Sequence, residues 1–102
     1  MEYRFEFAPE MVAGANERHD WIAERSPERA GKWYRGLLEK IETLQTHPKR
    51  CPVAPESEDY GEQLRYLTYG KRGDIFRILF TIRGDVIRII ALHHAAQGPY
   101  EF

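Results

Sequence analysis

Cys51 is the only cysteine in the chain, so no internal disulfide can staple the fold, a usage that suits a reducing cytoplasm. Its neighbour Arg50 could lower a thiol pKa, but Cys51 reads as an ordinary loop thiol. Long hydrophobic runs are also missing. The opening Met1-Glu2-Tyr3-Arg4-Phe5-Glu6 alternates charge with aromatics instead of forming the apolar core of a signal peptide, and no segment reaches membrane-spanning length. A soluble, cytoplasmic protein without membrane contact is the expectation. There is no excess of charge of one sign either: 15 Lys and Arg against 16 Asp and Glu give a formal charge of -1. That excludes the strongly basic body of a general nucleic-acid binder, and an anionic partner would need a local patch. Glycine-rich phosphate loops, a nucleophile elbow and zinc-ligand spacings are all absent, so no cofactor and no metal are expected. His93 and His94 are adjacent and point to opposite faces of a strand, which disfavours a shared metal. Glu56, Glu58 and Asp59 lack the glycine turn and further ligands of a calcium loop and read as a solvated segment.

What remains is enough for one domain over residues 1–102. Charged residues make up 30% and aromatics 13% of the chain, a composition that is soluble and still supplies large side chains for a core. Tyr3, Phe5 and Phe7 alternate with Glu2, Arg4 and Glu6, the period of a strand. Pro9 suits a first helical turn, and Met11, Val12, Ala15 and Ile22 carry a first helix to about Arg25. Ser26-Pro27 gives an N-cap followed by proline at the first helical position. Ala30, Trp33, Tyr34, Leu37, Leu38, Ile41 and Leu44 then follow helical spacing until Pro48. Gly36 lies near this apolar stripe and marks a close packing contact. His47 to Tyr60, with three prolines and no periodicity, reads as an exposed connection. A strand over Gln63 to Tyr69 follows, then the basic turn Gly70-Lys71-Arg72-Gly73.

The last third is a hairpin about Gly84-Asp85. Regular pairing sets Ile82 against Ile87, Phe80 against Ile89 and Phe76 against His93 on an apolar face. The opposite face then carries Arg77, Leu79, Thr81, Arg88, Ile90, Leu92 and His94, a mixed surface that suits a partner better than a core. The register of the Gln63 to Tyr69 strand, and with it the face of Arg65, is left open by the Gly-Lys-Arg-Gly turn. The element order is strand, helix, helix, then three strands. It gives an α+β fold in which two N-terminal helices pack on one face of a small, mostly antiparallel four-stranded sheet, with the other face partly open.

With Ser26-Pro27-Glu28-Arg29-Ala30 opening the second helix and Leu44-Gln45-Thr46-His47-Pro48 closing it, the chain resembles the RelE/ParE superfamily of bacterial type II toxin-antitoxin toxins. Arg65-Tyr66-Leu67, Phe76-Arg77-Ile78-Leu79-Phe80 and Ile89-Ile90-Ala91-Leu92 before His94 add to the match, which covers nearly the whole length. The resemblance implies a toxin whose fold is two helices on an antiparallel sheet and whose partner is a cognate antitoxin in a hetero-oligomer. Some members of the superfamily cleave messenger RNA on the ribosome, and others poison DNA gyrase. Arg77 sits where RNA-cleaving members place a phosphate-contacting arginine, and Arg65 matches a basic position on the preceding strand. If the chain is such a nuclease, its catalytic candidates are Arg65, Arg77, His94 and Tyr100.

The family usually continues His-x-x-Arg after the last strand, whereas this chain reads His94-Ala95-Ala96-Gln97, and Gln97 cannot supply a cation to a phosphate. The leading expectation is therefore a ParE-like inhibitor of a protein target such as DNA gyrase. Its target- or antitoxin-contacting residues would be Arg77, Arg88, Leu79, Ile90, Leu92, Lys71, Arg72 and Gln97. The alternatives are a RelE-like, ribosome-dependent mRNA endonuclease and an inactive family member kept as a binding module.

Overall fold

The structure, a computed structural model, describes residues 2–102. Strand β1 (Arg4–Phe7) leads into helices α1 (Pro9–Ala23) and α2 (Pro27–Glu42), then a short helix α3 (Ser57–Tyr60) and strands β2 (Arg65–Lys71), β3 (Asp74–Arg83) and β4 (Val86–His94). They form one four-stranded sheet in the order β1-β4-β3-β2, with β1 parallel to β4 and the other neighbours antiparallel. The expected order of elements and the mostly antiparallel sheet are what the chain adopts.

Local chemistry explains the helix ends. Ser26 adopts extended backbone and its Oγ accepts a hydrogen bond from the Arg29 N–H at 3.2 Å, so a serine cap and Pro27 start α2 as read from sequence. The end of α2 tightens into a 3₁₀ turn over Thr43–Gln45, and Pro48 opens another over Pro48–Arg50. Gln45 at this end holds the start of the sheet. Its Oε1 accepts from the Tyr3 N–H at 2.8 Å and its Nε2 donates to the Tyr3 carbonyl at 2.7 Å, occupying an edge-strand peptide as a neighbouring strand would.

The main core lies between the helices and the sheet. Met11, Ala15, Leu37, Ile41 and Leu44 meet Leu67, Ile78, Phe80, Ile87 and Ile89, with Cys51 at its margin. The Tyr69 Oη donates to the Trp33 carbonyl at 2.7 Å and lies where a Cβ on Gly36 would sit. Gly36→Ala is accordingly expected to displace Tyr69. The lost hydrogen bond and packing should outweigh the gain in helix propensity, for a net destabilisation of about 1 kcal/mol in urea unfolding. Gly31→Ala, whose Cβ would meet only the end of the exposed Arg35 side chain, should be neutral or stabilising.

Two sequence expectations change here. The hairpin pairs as expected from Arg83 and Val86 through Phe80 and Ile89, but the register then shifts. Leu79 faces Ala91, Arg77 faces His93 and Phe76 faces His94 rather than His93. Ile90 is the extra residue of a β-bulge. Beyond it, Leu92 joins the helix-side core and His94 packs edge-on to Phe76 at 4.8 Å, so both leave the face they were expected to share with Arg77 and Arg88.

The second change concerns His47 to Tyr60, which is not simply an exposed connection. It runs along the edge of β2 through an isolated bridge between Val53 and Arg65 and a hydrogen bond from the Ala54 N–H to the Leu64 carbonyl at 2.8 Å, and from Ala54 onward it covers part of the other face of the sheet. Ala54 and Leu64 pack with Leu79, Ile90 and Ala91 in a second small core, bordered by Tyr60, Tyr66 and Tyr100. Toward β1 that face carries a hollow of about 230 Å³ lined by Glu6, Thr81, Arg83, Val86 and Arg88.

Candidate functional site

Arg77 on β3 points to the second face, and there its guanidinium is already occupied. Its Nη1 donates to Glu56 Oε1 at 3.0 Å and its Nη2 makes a still closer contact with Glu56 Oε2, a bidentate pair. Both side chains are largely out of solvent, with 14% of Arg77 and 2% of Glu56 exposed. Glu56 also accepts the Tyr100 N–H at 2.9 Å, which ties the C-terminal segment over the pair. The hydrogen bonds from Arg77 outweigh burial and, with that of Tyr100, hold the Glu56 carboxyl well below its usual value, at about 2. Glu56 is thus a buried anchor and not part of a solvated acidic loop; only Glu58 and Asp59 of that trio face water.

The remaining nuclease candidates do not gather around Arg77. Arg65 pairs with Phe80, which belongs to the helix-side core, and its Nη1 donates to the Lys49 and Cys51 carbonyls at 3.0 and 2.6 Å, holding the connection in place. His94 lies on the helix side as well. Tyr100 alone shares the second face with Arg77, and its ring meets His93 edge-on at 5.5 Å. His93 Nε2 in turn contacts the Gly98 carbonyl. Cys51 is buried, not exposed in the connection as read from sequence, and desolvation raises its thiol pKa against the pull of Arg50, Arg65 and Lys40.

Of the expected contact residues, Leu79 and Ile90 are buried in the second core and so offer no outer surface. Arg88 is partly exposed, 3.4 Å from Glu6 across the β1–β4 pair. Lys71, the last residue of β2 rather than part of the turn, and Arg72 just after it are both exposed. Leu92 and Gln97 line a cleft between α1 and the end of β4, and His94 joins them there.

That cleft has a volume of about 390 Å³. Gly14, Glu17, Arg18 and Trp21 supply the α1 wall, and Phe76, Leu92, His94 and Gln97 the sheet wall. Asp74, the first residue of β3, cross-links the two walls. Its Oδ1 accepts from Arg18 Nη2 at 2.6 Å and lies 2.9 Å from His94 Nε2. Burial raises the Asp74 pKa, but the hydrogen bonds from His94 and Arg18 outweigh it and leave the carboxyl lowered. The Arg18 guanidinium also lies over Trp21, 4.2 Å from the ring centroid, and over Phe76 at 5.2 Å. Arg18, Trp21 and Asp74 carry this arrangement, and the sequence reading passed over all three. Only Trp21, a large aromatic off the apolar stripe of α1, carried a signal that could have flagged it.

Two helices over one face of a four-stranded sheet, with cationic side chains of the other face tied to carboxylates, define a small α+β domain. Residues 5–99 match the family model described as ParE toxin of the type II toxin-antitoxin system parDE, and the chain belongs to that family. It is similar in fold to a solved chain titled "Chromosomal ParDE TA system from P. aeruginosa". The two share 22% identity and a TM-score of 0.69, over 90% of this chain and 95% of the other. No curated protein matches it.

Proposed function

We propose that this type II toxin acts by binding a protein target, DNA gyrase, and is neutralised by a cognate antitoxin that covers its contact surface. The supporting observation is the occupied guanidinium of Arg77. An arginine held by both oxygens of a buried carboxylate has little capacity left for a phosphate, and breaking that pair would strand a charge. Arg65 donates to backbone carbonyls and position 97 is a glutamine, so neither supplies a free cation beside Tyr100 to stabilise a cleavage transition state. The choice of gyrase rests on the resemblance to the gyrase-poisoning branch of the superfamily.

Induction without antitoxin is expected to arrest growth, provoke DNA-damage signalling and trap gyrase on DNA, while primer extension shows intact messages. Co-expression of a cognate antitoxin should restore growth. Codon-positioned cleavage of messages with gyrase unaffected would refute the reading, and an absence of any growth defect would point to a binding module.

A further inference from the structure

Strand β1 pairs with β4 on one side only and forms an outer edge of the sheet. Hydrogen-bond parity decides which of its peptides face outward. The Arg4 and Ala8 N–H groups donate inward, to the Asp85 and Ile89 carbonyls at 2.7 and 2.9 Å, so Tyr3, Phe5 and Phe7 turn their N–H and C=O groups away from the sheet. Those of Phe5 and Phe7 have no partner among the described residues, whereas both groups of Tyr3 are taken by the Gln45 side-chain amide, at 2.8 and 2.7 Å. Gln45 ends the 3₁₀ turn that closes α2, and its amide presents a donor and an acceptor as a strand peptide does.

The edge that Gln45 closes is complementary to itself. When two copies of β1 are set antiparallel about Phe5, the Phe5 peptides bond each other, Tyr3 of each copy faces Phe7 of the other, and Arg4 faces Glu6. The first of these side-chain pairs is aromatic. The second sets opposite charges across the kind of pair in which side chains approach most closely. Within one copy the same charges have only loose, exposed partners, Asp85 at 3.7 Å from Arg4 and Arg88 at 3.4 Å from Glu6. Phe7 is 41% exposed. Such an edge templates its own pairing unless something blocks it.

We propose that Gln45 is an edge plug: by occupying the Tyr3 peptide it keeps two copies of this chain from joining through β1 into one continuous sheet. With Tyr3 taken in each copy, both Tyr3–Phe7 hydrogen-bonded pairs are lost and the central Phe5 pair is left alone, too short a ladder to hold a dimer. Pro9 begins α1 just past Ala8, so β1 cannot regain pairs by growing at that end. The plug sits on the turn Thr43–Gln45, so a movement of that turn away from Tyr3 opens the edge.

Sedimentation velocity over a range of concentrations, with NMR hydrogen exchange of the Phe5 and Phe7 amides, tests this on the intact chain. The parent should leave both amides exchanging freely. Gln45→Ala should self-associate at least about tenfold more tightly and protect both amides as it does so. Gln45→Glu keeps the bond from the Tyr3 N–H and frees only the Tyr3 carbonyl, so it should associate to a smaller extent, and it decides the matter if the alanine variant does not fold. Adding Arg4→Glu to either variant should abolish the association, and adding Glu6→Arg as well should restore it, because the facing charges are then opposite again. Folded plug variants that associate no more than the parent, protected Phe5 and Phe7 amides in the parent, or association indifferent to Arg4→Glu would overturn the proposal.

Discussion

Glu56→Ala is expected to destabilise the protein by about 3–5 kcal/mol, because it leaves the Arg77 guanidinium without a counter-charge in a place largely closed to water. For a chain of this size that corresponds to a fall in Tm of roughly 15 °C or more. Replacing both partners together, Glu56→Met with Arg77→Met, should recover most of the loss, since neither charge is then stranded. A single substitution no worse than the double one would show that the pair is not buried in solution. The same carboxyl sets an acid limit. Its pKa is lowered from 4.5 to about 2 in the folded protein, so its contribution is complete above about pH 4.5 and is lost as pH falls from there toward 2. Denaturation curves between pH 5 and 2 should therefore steepen with acidification for the parent and be flatter for Glu56→Gln, which has no proton to take up.

This pair also shows where sequence reasoning stops. The elements themselves were legible because each rests on a local signal: the Ser26-Pro27 cap, the helical spacing from Ala30 to Leu44, the alternation of β1 and the Gly84-Asp85 turn. Gly36 announced its close contact, although not that the neighbour would be Tyr69. Glu56 gave no such signal, since a carboxylate among prolines and acids looks solvated until a residue 21 positions away is brought against it. The same holds for the cleft. Arg18 and Asp74 are 56 residues apart, each unremarkable on its own element, and the packing of α1 across β4 is what joins them. Sequence period assigns faces within an element, but which charged side chains meet across elements is decided by the tertiary fold.

The bulge at Ile90 has the clearest consequence for the site, and deleting that residue isolates it. Without Ile90, Ile89 and Ala91 become consecutive opposite Phe80 and Leu79, so regular alternation runs through β4. Ala91 stays on the second face, and Leu92 and His94 stay on the helix side. The deletion variant is therefore expected to fold with His94 still against Phe76 and Asp74 and with the cleft intact, as seen in nuclear Overhauser contacts between the two rings. It loses one side chain from the second core, where Ile90 is 6% exposed, at a cost of about 2–4 kcal/mol in urea unfolding. Ile90→Ala keeps the bulge and removes the same methyl groups, so the difference between the two variants measures the bulge backbone itself. Absence of the His94 to Phe76 contact from the parent itself would mean that alternation passes unbroken through residue 90. His94 would then share a face with Arg77, and the cleft would lose that part of its sheet wall.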